Sequence, residues 1–319
     1  MAALLGNTFV TLIKFVAFAV SGSGAILSEA IHSAADTANQ LLLFIGLRRG
    51  NREGDDDFQY GYGGDRFVFG LLSAAGIFFV GCGVTIYHGV HSLTAPVMPK
   101  FSAITFGVLA VSFVIEGGVL LFAIRSVNKQ RGDTPFFKFV REGADPATVA
   151  ILLEDGVAVT GVLVATAGIV LARLTGVAEL DGAASIIIGL LLGFVAVYLV
   201  LENRSLLLGK AVPEGVEERF VTIIEEWPSV VSVHDVKTKQ LTPEVYLLKA
   251  EVRFKPAYFS KRLVAGGISI SPTAMVARTL HMLSTDIDEI ERAVRKAIPQ
   301  ARHIDLEIEQ TPPPEDDED

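Results

Sequence analysis

Long apolar runs broken by short polar punctuation fill the first two thirds of the chain. A helix crossing the hydrocarbon core of a bilayer needs ~20 mostly apolar residues. Six stretches reach that length, at about 4–21, 25–47, 67–93, 101–124, 147–171 and 181–202. Only the second and fifth carry a dense polar cluster. The fourth carries one acid, Glu116, and the first carries Lys14. Ser21-Gly22-Ser23-Gly24 is a very short link, so the first two helices are expected to form a tight hairpin. Residues 48–66 read as a polar, Gly-rich, flexible loop. Residues 125–146 form a second polar break, with Pro146 placed to start the fifth helix.

From Pro213 the period changes. Residues 214–226 read as an amphipathic helix, and Val230–Thr238 alternates as a strand. Tyr246–Phe254 reads as a second strand, 273–298 as a helix with apolar residues at Ile287, Ile290, Ala293, Val294 and Ile298, and His303–Ile308 as a third strand. The order is α-β-β-α-β. The ending TPPPEDDED is Pro-rich and acidic and is read as a disordered tail.

Charge and composition sharpen this division. Half of the 319 residues are hydrophobic, 20% are charged, and the mean hydropathy is positive. Of the net charge of -9, residues 1–210 hold 16 acids and 14 bases, and residues 211–319 hold 20 acids and 13 bases. The first part suits lipid and the second suits water. A single soluble domain, a disordered chain and a nucleic-acid binder, which needs a basic patch, are excluded. Cys82 stands alone, which leaves no disulfide within the chain, and its apolar setting reads as core. The first twenty residues lack a basic n-region and run straight into a second apolar stretch, so they read as a membrane helix and not as a leader. Arg48, Arg49, Arg52, Arg66, Arg125, Lys129, Arg131, Lys138 and Arg141 flank one side of the spans, against Lys100 and Arg173 on the other. This bias puts both termini and the C-terminal domain on the cytoplasmic side.

Ionisable residues inside a spanning helix cost ~2.5–3.5 kcal/mol each, so each is a functional candidate. SEAIHSAADTANQ in the second span places His32 and Asp36 four apart on one helical face. An imidazole nitrogen beside a carboxylate is half of a tetrahedral site for a borderline cation such as zinc. Glu29, Asn39 and Gln40 continue the polar stripe. ILLEDGVAVTG in the fifth span supplies Glu154 and Asp155, which point ~100° apart. The fifth span is expected to supply the other half of the site, with Asp155 on its stripe. Glu154 faces the cavity or forms a salt bridge, with Lys14 as partner. Glu116 reads as a packing or proton-carrying acid ahead of a peripheral ligand. Asp181 reads as the cap of the sixth helix, and His88 and His91 as interfacial residues.

Taken together, LSEAIHSAADTANQ, YGYGGDRFVFGLLSAAGIFFVGCGVTIYHGV, LLEDGVAVTGV, LDGAASIIIGLLLG, VHDVKTKQL and ARHIDLEIE resemble the cation diffusion facilitator family of divalent-metal transporters, in the branch around zinc transporter nine. The resemblance covers nearly all of residues 1–310. It implies an α-helical membrane protein with six transmembrane helices over 1–210, a cytoplasmic α+β ferredoxin-like dimerisation domain over 211–310, and a tail at 311–319. It also implies a homodimer in a lipid bilayer that exports zinc in exchange for protons, with no organic cofactor and no nucleic acid bound. Carried over, the metal ligands are His32, Asp36 and Asp155. The family's fourth position falls on Ile151, which cannot coordinate a metal, and Glu154, Asn39 or a water is left to complete the shell. Only His234, His281 and His303 are available for metal in the soluble domain, so that domain is expected mainly to dimerise, through its sheet and Trp227. Residues 256–272 resemble a long connection inserted by this branch.

Protonation of His32 competes with the bound ion and aids its release. Asp155 or Glu154 serves as a further proton carrier. The ligand types leave Fe(II), Mn(II) and Co(II) open as cargo. An intramembrane metalloprotease needs a His-Glu-x-x-His pattern, and none occurs. The rival to transport is a membrane metal sensor through which nothing crosses. The expected location is a bacterial inner membrane.

Overall fold

The computed structural model describes residues 2–100, 102–132, 134–142, 146–264 and 271–309. The chain separates into two compact units, Met1–Arg204 and Ser205–Asp319. The tail at 311–319 lies outside the described residues.

The first unit is helical throughout. Helices α1 (Ala2–Ser21) and α2 (Gly24–Gly50) are joined by Gly22, whose φ of 66° suits a residue without a Cβ. Ser23 caps α2 by accepting a hydrogen bond from the Ile26 amide. The third span is not one uniform helix. It runs as α3 (Asp65–Gly76), a π-helical segment (Ile77–Val84) and α4 (Thr85–Thr94). Wider turns of this kind arise inside helices where packing asks for an extra residue. Gly81 and Cys82 within the segment are buried, facing Leu192 and Gly193.

Helix α5 (Ala103–Gln130) runs past the expected end of its span, and a short helix α6 (Phe136–Glu142) occupies the stretch read as loop. Helices α7 (Pro146–Thr175) and α8 (Glu179–Leu208) complete the unit. By length and apolarity, four segments of the described residues are long enough to cross a membrane: Asp65–Thr94, Ala103–Gln130, Thr148–Thr175 and Glu179–Leu208. Helix α1 adds a shorter apolar helix at Gly6–Ser21. Helix α2 is 27 residues long, about 40 Å at 1.5 Å per residue. Its polar stripe, not its length, sets it apart from the four.

Small residues let the helices approach closely. Gly182, Gly189 and Gly193 of α8 lie against Ser92, Ile86 and Cys82. A Cβ at Gly189 would come within 2.7 Å of Ile86 Cγ1 and 3.2 Å of its backbone nitrogen. Glycine faces of this kind are how membrane helices gain packing contact without a hydrophobic driving force.

The polar loop between α2 and α3 is organised by Asp55. Its Oδ1 accepts from the Asp57 and Phe58 amides, and its Oδ2 accepts from the Tyr62 hydroxyl at 2.6 Å. Arg52 lies over the Tyr62 ring at 4.0 Å. The expectation of a flexible loop overlooked this set of local bonds, which Asp favours.

The second unit holds α9 (Glu214–Glu225), β1 (Val230–Thr242), β2 (Val245–Phe254), α10 (Pro256–Val264), α11 (Pro272–Ala297) and β3 (Ala301–Ile308). The sheet order is β1-β2-β3, antiparallel for the first pair and parallel for the second. The expected α-β-β-α-β order is present, and the α+β domain adds one helix to it. Leu248, Ala250 and Val252 alternate into the core and meet Phe220 and Ile224 of α9 and Ile290 and Val294 of α11. Trp227 packs against the same core. The first part of the expected connection is α10, held by Phe259 against Phe254 and by Arg262, 3.6 Å from the buried Asp286. Residues 265–270 of that connection lie outside the described residues. Strand β1 breaks register between His234 and Lys237, and Asp235 there has a φ of 43°, marking a bulge.

Candidate metal centre

Helix α2 sets out the polar stripe by its own geometry. His32 and Asp36, one turn apart, bring Nε2 to 3.3 Å from Oδ2. His32 is buried, and neither ring nitrogen has a hydrogen-bond partner. A buried polar atom left without a hydrogen bond costs ~1–3 kcal/mol, so this ring, with only the Asp36 carboxylate beside its Nε2, asks for an explanation in a ligand.

Helix α7 faces this stripe. Asp155 Oδ2 is buried and without a partner. Glu154 Oε1 accepts from Asn39 Nδ2 at 3.0 Å, and Asn39 Oδ1 accepts from Ser73 Oγ at 2.5 Å. A polar bridge therefore crosses α7, α2 and α3. The Asn39–Glu154 bond ties α7 to the α2 stripe that carries Asp36, and Asp155 is the next residue of α7. Three acids from two helices thus share one low-dielectric region, where their mutual repulsion favours a cation. Among the described residues, no three His, Cys, Asp or Glu side chains converge closely enough to hold a metal ion in this conformation. Ile151, one turn before Asp155, adds no donor.

Two partnerships differ from the sequence reading. Lys14 does not reach Glu154. Its Nζ lies 2.9 Å from Glu29 Oε2 and 2.6 Å from Glu116 Oε1, joining α1, α2 and α5. The signal was available: a lone lysine in one span needs a counter-charge, and Glu116 was the lone acid of another. Asp181 does not cap its own helix. It is the third residue of α8, and it accepts from Ser23 Oγ at 2.5 Å and from the Gly24 amide at 2.6 Å, so it closes the start of α2. Ser73 was missed, since a serine in an apolar run carries no pattern. In the second unit, His234, His281 and His303 stand on β1, α11 and β3. The ring of His88 sits beside Gly24.

Residues 1–208 match the model of the cation efflux transmembrane domain. The chain belongs to the cation efflux family. This cation efflux protein is 34% identical over 327 aligned residues to the proton-coupled zinc antiporter SLC30A9, mitochondrial, of Mus musculus, covering 97% of the chain and 58% of that relative. It is 34% identical over 334 residues to metal tolerance protein C4 of Arabidopsis thaliana, covering 98% of the chain and 73% of the relative. It is 24% identical over 239 residues to the cation-efflux pump FieF of Salmonella agona, covering 74% of each. The chain spans little more than half the length of the first of these. The family and branch expected from the motifs are those observed, and the protein is a membrane protein.

Proposed function

We propose that the chain is a secondary transporter that moves a divalent metal cation, zinc foremost, out of the cytoplasm in exchange for protons, and is not an enzyme. The observation that carries this is the buried His32 imidazole, 3.3 Å from Asp36 and without a hydrogen bond at either ring nitrogen, on a helix tied to Glu154 of α7 through Asn39. The relatives named for zinc antiport and metal tolerance support the same reading.

His32, Asp36 and Asp155 bind the substrate ion. Imidazole nitrogen with carboxylate oxygen suits zinc and also accommodates Fe(II), Mn(II) or Co(II). Asn39 and Ser73 hold Glu154 at the edge of the site, where it or a water completes the shell in place of Ile151. On the far side of the membrane, a proton on His32 removes its lone pair from the ion and promotes release. The arginine-rich loops lie on the cytoplasmic side together with both termini, a bacterial inner membrane being the expected location. Residues 1–210 form the transport domain. Residues 211–310 form the dimerisation domain of a homodimer.

The test is zinc and proton flux in proteoliposomes. His32→Ala is expected to lower zinc flux by more than about a hundredfold with the fold intact. Full retained transport refutes the site. Zinc binding with no flux of either ion turns the reading into that of a sensor.

A further inference from the structure

Lys14 is fully buried, and neither it nor Glu29 has any exposure. Glu116, the third member, is 14% exposed. Two carboxylates and one ammonium leave one negative charge in excess. The excess is visible in the bonding: Glu29 Oε1 and Glu116 Oε2 are both buried and receive no hydrogen bond. Each acid gives one oxygen to Lys14 and holds the other in reserve. Helix α7 closes over the free oxygen of Glu29 at Gly161, where a Cβ would overlap it. Four helices therefore meet at a point that already coordinates a cation, supplied by the chain itself.

We propose that Glu29 and Glu116 form a second cation position, one turn along α2 from His32, and that Lys14 fills it as a tethered occupant. An all-oxygen set without nitrogen or sulfur suits a hard divalent ion such as Mn(II) better than zinc. Glu29 stands three residues before His32 on α2, so the Lys14–Glu29 pair lies one turn from that imidazole. The occupant therefore sets the charge beside the proposed transport site without touching the cargo. The position itself is independent of the transport reading, and only its effect on that site rests on it.

The probe is Mn(II), measured by equilibrium dialysis and electron paramagnetic resonance on the purified full chain. Lys14→Met keeps an unbranched stem one heavy atom shorter and removes the ammonium. It is expected to bind about one more Mn(II) per chain than the wild type, a gain absent from K14M/E29Q/E116Q. Adding H32A to K14M is expected to leave the gain intact. If H32A alone keeps its zinc flux while the K14M gain stands, the transport site is wrong and the second position is not. A folded K14M with no gain, or a gain that survives in the triple variant, overturns the proposal. Should K14M fail to fold, recovery by Mn(II) during purification supports it. Failure with and without Mn(II), beside a folded triple variant, shows that Lys14 is a structural counter-ion only.

Discussion

Asp181→Ala tests whether α2 is anchored from another helix. The native carboxylate is 3% exposed and accepts two hydrogen bonds, from the Ser23 hydroxyl and the Gly24 amide. Ser23 Oγ in turn accepts from the Ile26 amide, so the first turn of α2 is satisfied through one acid. Hydrogen bonds to a charged group contribute ~1.5–3 kcal/mol each. A negative charge at a helix N-terminus adds ~0.3–1 kcal/mol, more when buried. Allowing for water entering the gap, Asp181→Ala is expected to cost about 3–5 kcal/mol. Asp181→Asn keeps one acceptor and turns its amide donors toward the other donor, so about half of that cost remains. Thermal unfolding in detergent reads the total. Hydrogen exchange of the Gly24, Ala25 and Ile26 amides reads the location and should accelerate in both variants, more in Ala. Two variants that melt within about 1 kcal/mol of the native protein, with unchanged exchange at these amides, refute the reasoning.

Three further outcomes are expected. Gly189→Ala places a methyl 2.7 Å from Ile86 Cγ1 and 3.2 Å from its backbone nitrogen, so α4 and α8 must part. Overpacking of this kind costs ~1–3 kcal/mol, seen as a lower melting temperature. Ile151→Asp puts a second carboxylate one turn from Asp155 at a position that is half exposed. It should tighten zinc binding by about tenfold in dialysis. In the second unit, burial, with Arg295 and Arg302 nearby, lowers the His303 pKa below its ordinary 6.5. The folded chain thus binds fewer protons there than the unfolded one, so stability falls as pH drops below about 6.5 and levels off under the folded pKa. His303→Gln should remove that part of the acid sensitivity in pH-dependent melting.

The helical passes were legible because ~20 apolar residues in a row allow few other structures. The soluble strands were legible because Leu248, Ala250 and Val252 alternate into the core. His32 and Asp36 stood out because charge in an apolar span is costly. What remained hidden was of two kinds. Within Ile77–Val84 every residue is apolar or small, so the sequence carries no periodicity to tell a π turn from an α turn. Partnerships across helices were the other kind. Lys14 announces a need for counter-charge but not its address, and Asp181 serves Gly24, 157 positions away. Helix position suggested that Asp181 caps its own helix, whereas packing gave it to another.

The polar stripe of α2 also bears on how the protein is made. At the translocon, Glu29, His32 and Asp36 together weigh against entry of α2 into lipid on its own. The link at Gly22 is short enough for α1 to stay beside it, and α1 carries Lys14, the partner of Glu29. The two helices are therefore best understood as a single insertion unit, delivered as a hairpin whose charges meet before either faces lipid. Biogenesis then depends on the chain between residues 14 and 29, and a lengthened link there would show itself first as lost membrane integration and only later as lost transport.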